Sequence, residues 1–80
     1  MPAVPQAITA HAKVLRSDAR VLAECAERLR EIGARLDGDG VAPEWLLETV
    51  NAHIAACTAA SADLAEAATR LHVYADRVRR

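Results

Sequence analysis

The sequence contains no phenylalanine, one tryptophan and one tyrosine in 80 residues. Aromatic rings carry much of the buried area in small cores, so a compact globule packed around bulky side chains is not what this chain builds. Glycine and proline number three each and gather at a few points: Pro2 and Pro5 at the start, then Gly33, Gly38, Gly40 and Pro43 near the middle. An all-β fold of many short strands needs turn residues throughout, and their absence over the long intervening stretches excludes it. Two cysteines, Cys25 and Cys57, are too few for a disulfide-stapled scaffold. Lysine occurs once, as Lys13, against nine arginines, and the net charge is −1. Without a basic excess the chain does not read as a nucleic-acid binder. No apolar run reaches the roughly 18–20 residues that span a bilayer. The start, Met1-Pro2-Ala3-Val4-Pro5, lacks the basic and apolar regions of a signal peptide. The chain is therefore expected to be cytoplasmic when made, and any secretion would use a route that accepts signal-less cargo.

What is present is a periodicity. Ile8, Leu15, Leu22, Leu29 and Leu36 recur every seven residues, each of the first four followed four positions later by Ala12, Ala19, Ala26 or Gly33. The second half repeats the pattern with Val50, Cys57, Leu64, Leu71 and Val78, interleaved with Leu47, Ile54, Ser61, Ala68 and Ala75. A seven-residue apolar repeat with 3-4 alternation specifies helices packed along a narrow seam. The fold class is all-α: an antiparallel two-helix hairpin, expected to dimerise into a four-helix bundle. An N-terminal extension over 1–5 precedes a helix over about 6–36, a turn over 37–43 and a helix over about 44–79. Pro5 and Pro43 suit helix first turns, and Gly38 suits a left-handed C-terminal cap. Gly33 falls on the small-residue row, where close helix approach is its use.

Nineteen residues are alanine. Much of the 52% apolar fraction is thus small in volume, favourable for helix propensity but poor in buried area. Two helices cover only part of each other, so the remaining apolar stripe needs a protein partner. That stripe is expected to be Val14, Val21, Leu46 and Tyr74 with the alanine-rich face. Leu15, Leu22, Leu29, Ile54, Leu64 and Leu71 would supply the bundle's interior. Trp45, just after the turn, is expected to pack over it and close that end of the core, or to serve as an aromatic partner anchor. Alternating charges at Arg20/Glu24/Arg28, Glu31/Arg35 and Glu66/Arg70 read as i,i+4 pairs on solvated faces. Arg77, Arg79 and Arg80 suit the negative end of the second helix. The preference for Ala and Arg over Lys matches a GC-rich, actinobacterial-type genome.

Candidate chemistry is sparse. Antiparallel pairing sets Cys25 level with Ala55, between His53 and Cys57. That leaves open two buried thiols, a Cys25–Cys57 disulfide, or a metal site with His53, which lacks an obvious fourth ligand. His11 and His72 read as surface or interface histidines. Asp37-Gly38-Asp39 with Glu48 invites a calcium reading, but Val41 and Ala42 stand where an EF-hand needs an oxygen ligand and glycine. Ser17 and Ser61 lack a positioned base, and no Gly-rich phosphate loop is present. No enzyme, metal or cofactor is expected.

A signal-less, alanine-rich hairpin below about 100 residues, with Trp45 at the interhelical turn, resembles the small WxG-type proteins exported by type VII (ESX) secretion systems. In this chain Trp45-Leu46-Leu47 stands where the family has Trp-Xaa-Gly. The family's Tyr-Xaa-Xaa-Xaa-Asp/Glu export signal would run from Tyr74 to Val78, which is not acidic. The resemblance implies a homodimer or heterodimer of hairpins, with a partner supplying the missing signal, and an ESX-like partner or adaptor of a secreted effector. The alternative is a cytoplasmic homodimeric coiled-coil regulator or scaffold; a third reading is a metal- or redox-responsive hairpin using Cys25, Cys57 and His53.

Overall fold

The computed structural model describes residues 4–80. Two α-helices of 36 residues each make up the fold: α1, Val4–Asp39, and α2, Glu44–Arg79. They pack antiparallel into a rod of 59 × 15 × 14 Å. The radius of gyration is 17.9 Å, against roughly 11–12 Å for a globular domain of this length.

The seam is built from its smallest residues. Ala12, Ala19 and Ala26 of α1 and Ala68 and Ala75 of α2 are the buried side chains, and no larger side chain among the described residues is fully buried. Their seven-residue spacing keeps one row facing the partner helix over successive turns. The Ser61 hydroxyl donates to the Ala19 carbonyl across the seam at 2.7 Å, which requires close backbone approach. Gly33 serves the same purpose: a Cβ there would stand 3.3 Å from Val50 Cγ1. The leucine rows, including Leu22 and Leu64, lie beside the small residues and remain partly exposed.

The helix ends correct two expectations. α1 begins at Val4 and runs through Asp37 and Gly38 to Asp39, so the turn is shorter than 37–43. The left-handed residue is Gly40, at φ 69°, not Gly38. Gly40 N–H donates to the Asp37 carbonyl at 3.2 Å. Both glycines suit a helix stop; only at the second does the chain turn, because helix bonding persists across the first. Pro43 is the N-cap of α2 rather than its first helical residue, with φ −66° and ψ 151°. Its carbonyl accepts the Leu46 N–H at 3.0 Å, and Glu44 stands at the positive helix end. Of the proposed N-terminal extension, residues 1–3 lie outside the described residues, and Val4 and Pro5 belong to α1.

Trp45 corrects a third expectation. Its side chain does not close the end of the core but is 65% exposed. It falls on the outer surface of α2, since the seam positions Leu47 and Val50 point elsewhere on the same turns. The surface pairs are partly reassigned as well. Glu66/Arg70 closes at 2.8 Å as expected. Arg30 pairs with Glu27 and Arg79 with Asp76, whereas Arg20/Glu24/Arg28 and Glu31/Arg35 form no ion pair. Exposed pairs of this kind contribute little, and which of them closes has small consequence.

Candidate interaction surface

The two long sides of the rod differ in chemistry. On one, side chains link the helices: Arg16 Nη2 donates to Thr69 Oγ1 at 3.0 Å, Arg30 Nη2 to Thr58 Oγ1 at 3.3 Å, and Arg79 Nη2 to Thr9 Oγ1 at 3.3 Å. At about 100° per residue, Val14 and Val21 lie about 140–180° round α1 from Arg16 and Arg30. Tyr74 lies about 160° round α2 from Thr58. The other side is therefore the apolar one, a ridge of Leu15, Leu22, Leu29, Cys57, Leu64 and Leu71 flanked by exposed apolar residues.

The proposed partner residues lie on exposed or partly exposed surface of both helices. Val14, Val21 and Tyr74 are 55%, 54% and 55% exposed. Tyr74 stands toward the open end, and Leu46, partly exposed, stands toward the turn. Trp45 is separate, about 100° round α2 from its neighbour Leu46. Sequence reasoning missed Ile32, 47% exposed. The signal was available, since Ile32 follows Cys25 by seven residues and shares its side of α1. Val73 and Val78, also exposed, extend the apolar surface of α2 at the open end.

Cys25 and Cys57 are free thiols, both partly exposed, and both fall on the apolar side. The contacts Ala19/Ser61 and Gly33/Val50 bracket them and set them at nearly the same height. His53 is exposed. No group of three His, Cys, Asp or Glu side chains is arranged to hold a metal ion among the described residues.

Two depressions lie on the polar side. An open depression of about 320 Å³ near the turn is lined by Arg30, Gly33, Ala34, Asp37, Leu47, Asn51 and Ile54. A smaller one of about 160 Å³ lies between Ala23, Ala26, Glu27, Arg30, Thr58 and Ser61. Both are shallow gaps that small seam residues leave between two helices. Among the described residues no helix is long and apolar enough to cross a membrane.

Charge is graded along the rod. Toward the open end, residues 4–16 and 67–80 carry Lys13, Arg16, Arg70, Arg77, Arg79 and Arg80 against Asp76, a side-chain charge of +5. Toward the turn, residues 31–52 carry Glu31, Asp37, Asp39, Glu44 and Glu48 against Arg35, a charge of −4. The near-neutral total conceals a strongly polarised molecule.

No family model, curated protein or solved structure matches this chain.

Proposed function

We propose that this chain is a non-catalytic interaction hairpin that completes its core by pairing with a second helical hairpin into a four-helix bundle. The observation that carries this reading is the absence, among the described residues, of any fully buried side chain larger than alanine. A Leu withdrawn completely from water contributes roughly 1.5–3 kcal/mol, and here the leucine rows realise only part of that. The exposed surface supports the same reading. The chain exposes 5842 Å², whereas a folded monomer of its mass exposes about 4,700 Å². The excess of roughly 1,100 Å² exceeds the ~800 Å² that each partner buries in a standard stable interface.

The resemblance to WxG-type proteins supplies the physiological half of the proposal, a partner or adaptor of a type VII secreted effector. Trp45, exposed beside the turn, would then be available to a partner or to the export machinery. A cytoplasmic regulator or scaffold would use the same bundle without export. The two readings separate in a culture: the secretion reading places the chain in the supernatant with its co-encoded hairpin, and the scaffold reading retains it in the cells.

The bundle itself is tested by thermal melts followed by circular dichroism at several concentrations. Pairing that completes the core makes the midpoint rise with the concentration of the partner. A monomer that melts cooperatively at a concentration-independent midpoint would overturn the proposal.

A further inference from the structure

The dipeptide Asp-Gly occurs twice in succession, as Asp37-Gly38 and Asp39-Gly40. A glycine after aspartate leaves the next backbone nitrogen unshielded by any side chain, so that nitrogen can approach the aspartate's own carboxyl carbon. We propose that Asp39-Gly40 is a site of spontaneous covalent modification, at which aspartate converts to isoaspartate. The helix protects Asp37-Gly38, which is chemically the same.

The reaction balances with water as its only co-reactant. The Gly40 backbone nitrogen attacks Asp39 Cγ and forms a nitrogen–carbon bond. The carboxyl C–OH bond breaks, and the hydroxyl leaves with the amide proton as water. The resulting five-membered cyclic imide then takes water back at either carbonyl. Addition at Cγ breaks the new bond and restores aspartate. Addition at the Asp39 backbone carbonyl breaks its bond to Gly40 nitrogen and leaves the main chain running through Cγ.

Both aspartates are exposed, so access to solvent does not distinguish them. Neither glycine is crowded, since a Cβ at either would meet nothing within 4 Å. The helix tells them apart. Asp37 and Gly38 lie inside α1, which continues to Asp39. Closing the ring at Asp37 needs rotation about its Cα–C bond, which pulls the N–H groups of the following residues out of the helical ladder. Asp39 is the last residue of α1, and Gly40 is already left-handed at φ 69°. What holds the Gly40 nitrogen is one bond, to the Asp37 carbonyl at 3.2 Å. Helix ends open locally at the least cost.

The consequence falls on the tip of the rod. Isoaspartate adds one carbon to the main chain within the short link to Glu44 and frees the Asp39 α-carboxylate at an exposed position. That carboxylate is the group a methyltransferase of the isoaspartate-repair type accepts, with S-adenosylmethionine as methyl donor. The seam is not touched.

The test holds the full-length chain at neutral pH and physiological temperature over weeks. Isoaspartate is counted by enzymatic methylation and located by electron-transfer fragmentation in a mass spectrometer. In the folded chain it should accumulate at Asp39 about tenfold faster than at Asp37, the ratio that one or two additional helix hydrogen bonds supply. Equal rates, or a faster Asp37, overturn the proposal. In urea the two rates should converge; a preference that survives unfolding belongs to the local sequence and overturns the protection by the helix. Asp39→Glu keeps the charge but would need a six-membered ring, so it should remove the product at position 39 and leave the rate at Asp37 as it was. Methylation that persists at the parent level in that variant overturns the assignment.

Discussion

The Ser61 hydroxyl donates to the carbonyl of Ala19 on the opposite helix, 42 residues away in sequence, at 2.7 Å. A side chain with one oxygen on its Cβ can reach a neighbouring helix's backbone only where small residues bring the two together. This bond therefore reports the rule by which the hairpin is built. Alanine, serine and glycine form the seam, and the leucines are displaced to its flank. The arrangement gives a straight, thin rod with an apolar side still wet.

Replacing Ser61 by Ala keeps the volume and removes that bond. The expected loss is about 1 kcal/mol, the usual net worth of a partly buried hydrogen bond. Urea unfolding at fixed protein concentration measures it, with an unchanged denaturant slope.

Ala19→Leu should be far more damaging. Ala19 is 4% exposed, and three added carbons have no space between the backbones. Overpacking of this kind costs about 1–3 kcal/mol, and here it would also part the helices along their length. Circular dichroism and small-angle scattering together should show lower stability and a thicker rod.

Gly33→Ala sets two effects against each other. Alanine improves helix propensity by about 1 kcal/mol, but its methyl would stand 3.3 Å from Val50 Cγ1. A valine in a helix is held to one χ1 rotamer and yields poorly. The expected net change is within about 0.5 kcal/mol, and the propensity gain should emerge in a Val50→Ala background. A double-mutant cycle reads the coupling.

Trp45→Ala should leave the stability of the hairpin within about 0.5 kcal/mol of the parent, as for surface positions generally. The indole of the unpaired chain should emit as a solvated ring. Fluorescence of a shielded indole in a chain shown to be monomeric would contradict the exposure described here.

The periodicity made the fold legible because a seven-residue repeat constrains every turn of both helices at once. The start of α2 at Glu44 was readable for the same local reason that Pro43 and Glu44 favour helix entry. The end of α1 was not, since Asp37-Gly38-Asp39-Gly40 offers two glycines and the choice of Gly40 depends on where the second helix must begin. Trp45 was misplaced because size argues for burial, whereas its position on α2 turns it away from the seam, which at that end Val50 and Gly33 form. Val14, Val21 and Tyr74 were recognisable as positions off the seam from spacing alone, and all three are exposed. That the opposite side is tied by Arg16, Arg30 and Arg79 to threonines was not, because those links depend on how the two helices are staggered.

If this hairpin is half of a packed structure, the mass of its folded form must show it. Sedimentation equilibrium of the purified chain, with circular dichroism melts on the same samples, identifies which species is cooperatively folded. Cooperative melting is expected only in an assembly of two hairpins, with twice the 8.6 kDa chain mass if the partner is a second copy. A cooperatively melting species of the single-chain mass would contradict it.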